Sequence, residues 1–200
     1  MAVIDFPAGE GFGVRSLRFS ASTPKSAWTG FFTGQSQSIS HLADRLRAVV
    51  TFPPCNPQNG ALREAFFMEM ASAGHWVRLS HWRQVPFGTL RGTPTAPSGA
   101  AAGARTITVQ GVAGDTLLGG DVLGCGNQLL QVGYQGAVAN GSGVLSVPLV
   151  IPVRATITNG SAVSWQSPTG TFQLATDLLE FVIGRGGWQA ALEVPFAEAI

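Results

Sequence analysis

Three histidines are the first candidates for metal or acid–base chemistry. His75 and His81 lie six residues apart in a predicted strand, which places them on one face but about 20 Å from each other. His41 has only Asp44 at ligand spacing. Because a zinc ion needs three or four ligands within bond distance, this pattern favours ordinary histidines over a metal site.

Paired carboxylates could supply the acid and base of a hydrolase. Glu64 and Glu69 are five residues apart on a predicted helix and point in different directions. Asp115 and Asp121 flank the turn TLLGG, where Asp commonly bonds the backbone of its own turn. The chain has no Gly-x-Ser-x-Gly motif, and neither cysteine has a neighbouring base. We therefore predict no enzyme, and no catalytic, cofactor-binding or metal residue.

The stretch FGTLRGTPT, Phe87 to Thr95, has the glycines of an anion-binding loop. Its glycines do not open a helix and no lysine follows them, which excludes a phosphate loop. The glycines instead mark the exit from a strand, and Pro94 favours an extended chain after it. Arg91 is left as a predicted clamp at a subunit or domain interface.

The amino-acid composition limits the classes of partner that the protein can bind. Charged residues make up 12% of the 200 residues, about half of the usual quarter, while apolar residues make up 45%. Such a chain has few charges with which to cover its surface, so we expect other subunits to cover part of it. The net charge of +1 gives no electrostatic footprint for nucleic acid or for an anionic membrane.

Localisation signals are weak in this sequence. No apolar run approaches the roughly 18–20 residues of a membrane span. The start MAVIDFPAGEGFG lacks the basic and apolar regions of a signal peptide. Cys55 and Cys125 could form a disulfide, but two buried free thiols are the favoured interpretation, in a reducing cytoplasm.

Short β-branched and aromatic runs alternate with glycine- and proline-rich turns, which predicts a mainly β fold. The predicted strands are Ser16–Thr23, Ala27–Ser40, Arg45–Phe52, Trp76–Trp82, Arg105–Gln110, Asp121–Leu123, Leu129–Tyr134, Val144–Val150, Ala162–Gln166, Thr171–Ala175, Leu179–Ile183 and Trp188–Glu193. One helix is predicted over residues 57–73. Asn56 is its N-cap, Pro57 its first residue, and Gly74 ends it. Its apolar face is predicted to consist of Leu62, Ala65, Phe66, Met70 and Ala73, laid across a sheet.

The middle of the chain is predicted to form an inserted domain. The small-residue stretch within residues 93–104 predicts a linker, and Thr106–Gln166 predicts a compact β-barrel or sandwich. Asn-Gly pairs at Asn140 and Asn159 predict hairpin turns within it. The last 35 residues are too few to bury a core of their own, so we expect them to complete the sheet begun before residue 92. The predicted domains are residues 1–92 with 166–200, and an insertion of residues 93–165.

The stretch Trp28-Thr-Gly-Phe-Phe predicts a hairpin that is very apolar for a free edge. Trp28, Phe31 and Phe32 are therefore candidate subunit-interface residues, with an ordinary core hairpin as the alternative. The five tryptophans are Trp28, Trp76, Trp82, Trp165 and Trp188. They are scattered over both predicted domains, which favours core or interface roles over one sugar-stacking surface.

Four runs carry a resemblance to a known family: HWVRLSHWRQVPFGTLRGTPT, ITVQGVAGDTLLGGDVLGCGNQLLQV, ANGSGVLSVPLV and SWQSPTGTFQL. In their order and spacing they resemble the distal tail protein of long-tailed bacteriophages, also described as a minor tail or baseplate protein. The likeness covers most of the chain from about residue 60. None of the four runs is catalytic.

The resemblance implies a structural protein of the virion, made in the host cytoplasm. It implies a β-sandwich or barrel-type ring domain with one α-helix, plus a small inserted β-barrel domain that projects outward. Such rings are typically hexameric and lie between the tail tube protein and the hub protein that carries the fibres. The resemblance also implies that DNA passes through the ring without specific recognition. No cofactor is implied.

Three other protein classes remain as alternatives. A carbohydrate-binding or host-adhesion module would use the inserted β domain, where Trp165 and Tyr134 are the available large aromatic residues. Another phage ring protein, such as a tail terminator or tube subunit, would lack a separate inserted domain. A small hydrolase with an unrecognised site is the least favoured alternative.

Overall fold

A computed structural model describes residues 2–7, 9, 12–22, 25–29, 35–40, 45–81, 85–176 and 178–199. The chain divides into two compact units. The first comprises Met1–Ser20, Leu46–Trp82 and Thr169–Ile200, and the second comprises Ala21–Arg45 and Arg83–Pro168. The second unit thus begins about ten residues before the predicted insertion and also takes in a segment from the amino-terminal region.

The described residues form a mainly β protein with one α-helix, which confirms the predicted fold class. The helix α1 is Pro57–Ala73. The strands are β1 Val3–Asp5, β2 Ser16–Ser22, β3 Lys25–Thr29, β4 Ser36–Ser40, β5 Arg45–Phe52, β6 Trp76–Ser80, β7 Thr95–Ala96, β8 Thr106–Gln110, β9 Thr116–Leu117, β10 Val122–Cys125, β11 Gln128–Gln131, β12 Ala137–Val138, β13 Val144–Pro148, β14 Ser161–Ser164, β15 Thr169–Leu174 and β16 Leu192–Glu198.

The first unit is built on a six-stranded sheet in the order β1-β6-β15-β16-β5-β2. Strands β15 and β16 lie in its centre, which confirms that the end of the chain completes a sheet begun near its start. Helix α1 packs on this sheet through Phe67, whose ring centre lies 5.6 Å from that of Phe52 and 6.4 Å from that of Phe196. These three fully buried aromatic side chains supply much of the apolar burial in this unit.

The ends of helix α1 are as the sequence predicts. The Asn59 amide donates to the Asn56 side chain at 2.8 Å, and Gly74 adopts the left-handed conformation at φ 60°. The predicted apolar face is wrong for Leu62, Ala65 and Ala73, which are exposed. The buried helix residues are instead Gly60, Arg63, Phe67 and Met70. This face follows the same spacing of three and four residues, but it contains an arginine and a glycine that hydrophobicity alone does not select.

The second unit contains a closed, small β-barrel. Its sheet runs in the order β11-β10-β14-β7-β8-β13. The two outer strands then meet at an antiparallel bridge between Val132 and Leu149. Two backbone hydrogen bonds flank this bridge, Val150 N to Gln131 O at 2.9 Å and Gly133 N to Pro148 O at 2.7 Å. Closure removes the free edges of the sheet and encloses an apolar core: Ile107, Val109, Leu123, Leu130, Val132, Leu145, Val147 and Val163.

The prediction of a linker over residues 93–104 is wrong. Thr95–Ala96 forms strand β7, and Ala96 is completely buried in the barrel core. Ala100 pairs with Ile157 and packs against the same core. The small residues of this stretch let its backbone lie close against neighbouring segments; a Cβ on Gly99 would lie 2.3 Å from the Ile157 carbonyl oxygen.

Three other expectations need correction. Asn140 and Asn159 lie in turns, but the strands beside these turns pair elsewhere: β12 with β9, β13 with β8, and β14 with β7 and β10. Neither turn therefore forms a hairpin. Leu179–Ile183 is not a strand; within it only Ile183 makes a bridge, to Gln189. The final strand is Leu192–Glu198 rather than Trp188–Glu193, since the buried–exposed alternation of this segment begins at Leu192.

Gly88 is predicted to be intolerant of a side chain. A Cβ at this position would lie 2.1 Å from the Thr116 carbonyl oxygen, whereas a Cβ on Gly141 would meet nothing within 4 Å. Gly88→Ala should therefore lower the free energy of unfolding by about 1–3 kcal/mol. Gly141→Ala should change it by less than about 0.5 kcal/mol. Urea unfolding followed by tryptophan fluorescence measures both, and equal stability of the two variants would contradict the packing described.

Candidate interaction surface

Trp28 lies on a hairpin formed by β3 and β4. The two strands pair over five positions, from Lys25 with Ser40 to Thr29 with Ser36, and neither joins another sheet of the described residues. The Trp28 side chain is 71% exposed, which does not fit a core hairpin. Phe31 and Phe32 lie outside the described residues. Trp28 is thus available to a partner, and the interface role of all three residues stays a prediction.

Arg91 is held within its own unit. Its Nη1 donates to the carbonyl oxygens of Gly88 at 2.9 Å and Leu90 at 2.6 Å. The guanidinium carbon also lies 5.2 Å from the centre of the Trp165 ring, and Trp165 Nε1 donates to Gly92 O at 2.8 Å. Arg91 therefore fixes the local path of the chain where it enters the barrel. A contact with a further subunit stays a prediction.

The two aspartates near TLLGG bind backbone amides, as expected for turn residues. Asp121 is buried and accepts hydrogen bonds from the amides of Phe87 at 2.8 Å, Gly88 at 3.1 Å and Leu118 at 2.8 Å. Asp115 accepts from the Val112 amide at 2.8 Å. The Asp121 carboxylate thus anchors the start of FGTLRGTPT to the turn before β10, and anchoring explains this aspartate without catalysis.

An exposed apolar arm lies on the first unit. The arm is residues 182–190, in which Gly184 N donates to Trp188 O at 2.8 Å and Ala190 N donates to Val182 O at 2.9 Å. Val182, Ile183 and Trp188 are each more than half exposed. Sequence reasoning placed Val182, Ile183 and Trp188 in predicted strands and left a core or an interface role open for Trp188, because an apolar run alone does not distinguish the two.

A second apolar surface lies on the second unit. Strands β9 and β12 pair with Thr116 opposite Val138, and Leu117 on the other face is buried. We name the exposed residues on and beside this small sheet the β9–β12 patch: Phe87, Leu118, Tyr134 and Val138. Tyr134 is 98% exposed. Exposed apolar side chains of this kind are typical of contact surfaces.

A buried arginine lies beneath helix α1, and sequence reasoning missed it. Arg63 Nη1 donates to Pro53 O and to Gln189 Oε1, both at 3.1 Å, and its guanidinium carbon lies 4.9 Å from the centre of the Phe52 ring. Burial lowers the pKa of Arg63, and the nearby Cys55 opposes that shift. The arginine ties the helix to the arm through Gln189, whose backbone also pairs with Cys55.

The described histidines and cysteines do not form a metal centre. Among the described residues, no three His, Cys, Asp or Glu side chains lie close enough to hold an ion. His81 stacks on Phe19 with ring centres 4.7 Å apart, and His41 lies outside the described residues, as does Trp82. Cys55 and Cys125 are both free and buried, as the sequence analysis favoured.

Comparison with known proteins adds no family assignment. No family model matches the chain, and no curated protein sequence matches it. In the part of the chain that the structure describes, no helix has both the length and the apolar character needed to cross a membrane.

Arg63 should matter far more for stability than an exposed arginine. Arg63→Ala removes two hydrogen bonds and leaves a cavity under the helix, which should cost about 2–5 kcal/mol of unfolding free energy. Arg78→Ala is the control, since Arg78 makes only a solvent-exposed ion pair with Asp5 at 2.7 Å and should cost about 0–1 kcal/mol. Thermal unfolding monitored by circular dichroism compares the two. Similar losses would contradict the structural role of Arg63.

Cys125 should resist thiol reagents in the folded protein. Burial raises the pKa of the Cys125 thiol above its ordinary value of 9.0, so the folded state favours the unreactive protonated form. This contribution to stability is present below pH 9 and is lost as the pH rises above it. Labelling at neutral pH should modify Cys125 only after denaturation, when two thiols should react. Rapid labelling of native Cys125, or fewer than two thiols after denaturation without reductant, would contradict this.

Proposed function

We propose that this protein is a structural component of a phage tail tip, forming a ring that connects the tail tube to the hub and continues the DNA channel. The sequence resemblance to distal tail proteins motivates the proposal. The mainly β fold with one helix and a small barrel is compatible with it. The proposed location is the virion, after synthesis in the host cytoplasm.

The observation that carries the proposal is the apolar arm of the first unit. Val182, Ile183 and Trp188 expose apolar surface on a chain in which only 12% of residues are charged. Transferring this surface from water to a protein contact is favourable by roughly 25 cal/mol per Å². In a head-to-tail ring each copy offers one surface to a different surface of its neighbour, so an arm on every copy has a receptor on the next. The proposed ring is a hexamer.

The second unit offers a separate surface for the other tail proteins. The β9–β12 patch is apolar, and it lies on the unit that the family resemblance expects to project outward. We assign this patch to contacts with the hub or with attached fibres, and the ends of the ring to the tube and hub proteins. No cofactor and no specific nucleic-acid recognition belong to the proposal.

The geometry favours a carbohydrate-binding module less than it favours a tail-tip protein. Trp165, one of its two candidate aromatic residues, has its indole nitrogen bonded to Gly92 and its ring beside the Arg91 guanidinium. Tyr134 remains exposed. Stacking on a sugar with several aromatic side chains would have to use Tyr134 with Phe87, the other exposed aromatic residue of the β9–β12 patch, instead of Trp165. A glycan array that stays flat would remove this alternative, and a specific signal abolished by Tyr134→Ala would favour it.

Ring assembly should depend on the arm. Ile183→Glu places a charge on the apolar arm and should shift the purified protein from a closed oligomer to monomer, since burying an unpaired charge is costly. Leu62→Glu is the matched control, because Leu62 is comparably exposed but lies on helix α1 outside the arm. Native mass spectrometry at tens of micromolar protein measures the oligomeric state of both variants. Monomers in the wild-type protein would contradict self-assembly, and equal ring formation by both variants would contradict the role of the arm.

A further inference from the structure

Two identical tripeptides in the second unit lie in different hydrogen-bond environments. Asn140-Gly141-Ser142 and Asn159-Gly160-Ser161 share one sequence, Asn-Gly-Ser, and all but Ser161 are exposed. Asparagine is a chemically labile residue. In an Asn-Gly pair the glycine lacks a side chain that would hinder attack by its own nitrogen on the asparagine side chain. Because the sequences match, any difference in reactivity must come from the fold.

The Asn140 side chain has its carbonyl oxygen activated by the backbone. Its Oδ1 accepts hydrogen bonds from the amides of Ser142 at 2.9 Å and Val144 at 3.0 Å. Negative charge develops on Oδ1 when a nucleophile attacks Cγ. Two fixed N–H donors aimed at that oxygen stabilise the charge, in the manner of an oxyanion hole.

The nucleophile at this turn is also available. Among the described residues, no hydrogen-bond acceptor engages the Gly141 amide. At the other site the Gly160 amide donates to the Ala96 carbonyl at 2.8 Å, a bond that has to break before the nitrogen can react. No donor among the described residues bonds the Asn159 side-chain oxygen. The two sites therefore differ in both reacting groups.

From these contacts we infer that Asn140 is a site of spontaneous deamidation in the folded protein, and that the fold protects Asn159. The Gly141 nitrogen attacks Cγ of Asn140, the N–Cγ bond forms and the Cγ–Nδ2 bond breaks. The side-chain nitrogen leaves as ammonia, with the proton that Gly141 gives up. Water then adds to one carbonyl of the cyclic imide and opens the ring to aspartate or isoaspartate.

The consequence is a surface change on the barrel. Each event converts a neutral side chain to a carboxylate, and the formal net charge falls from +1 to 0. Where isoaspartate forms, the main chain gains one carbon in the turn that leads into β13. The carbonyl oxygen that accepts the Ser142 and Val144 amides is then displaced.

The test is peptide mapping by mass spectrometry of the full-length protein aged at mildly alkaline pH, once folded and once in urea. In the folded protein Asn140 should deamidate about tenfold faster than Asn159. Breaking the hydrogen bond of the Gly160 amide raises the barrier at Asn159, and the free energy of one hydrogen bond corresponds to a rate ratio of about this size. In urea the two rates should converge, because the tripeptides are the same. Deamidation of Asn159 as fast as Asn140 in the folded protein would overturn the inference.

Gly141→Ala supplies the matched variant. A Cβ at this position meets nothing within 4 Å, so the variant should fold as the wild type does. The added methyl group hinders the nitrogen, and deamidation at Asn140 should slow while the rate at Asn159 stays unchanged. Unchanged reaction at Asn140 in this variant would show that direct hydrolysis, and not attack by the backbone, modifies the side chain.

Discussion

The pairing of β6 with β15 is the constraint on which the organisation of the chain depends. Ser80 lies opposite Thr169 and Leu79 lies opposite Gly170 in one antiparallel ladder. The chain therefore leaves the first unit and returns to it at neighbouring positions, and everything between has to close on itself. A long flexible loop between these positions would lose conformational entropy on closure without burying apolar surface. A folded barrel offsets that loss because it buries a core of its own.

The second unit meets the same constraint in its own strands. Pro94 O accepts the Val163 amide at 2.9 Å, and β7 pairs with β14 at Thr95 and Ala162. Its entry and exit segments are thus hydrogen-bonded to each other, and Arg91 with Trp165 stabilises the same place. The arm of the first unit and the β9–β12 patch of the second unit keep exposed apolar side chains. Exposed apolar groups of this kind are typical of contact surfaces.

Local signals in the sequence predicted local structure well. Asn56, Pro57 and Gly74 predicted both ends of the helix because caps act through adjacent backbone groups.

Arg63 was missed because its burial depends on Pro53 and Gln189, and Gln189 is distant in sequence. The stretch after Thr93 was misread because strand β7 exists only through pairing with β14 and β8. Val182, Ile183 and Trp188 were predicted in strands because an apolar run alone does not show whether the residues pair in a sheet of their own chain.

The most direct test of the central claim is cryo-electron microscopy of the purified protein. The account predicts closed rings of six copies with a central opening wide enough for a DNA duplex, in which the 182–190 arm of each copy lies against its neighbour. Particles that are uniformly monomeric, or rings in which the arm remains in solvent, would contradict it.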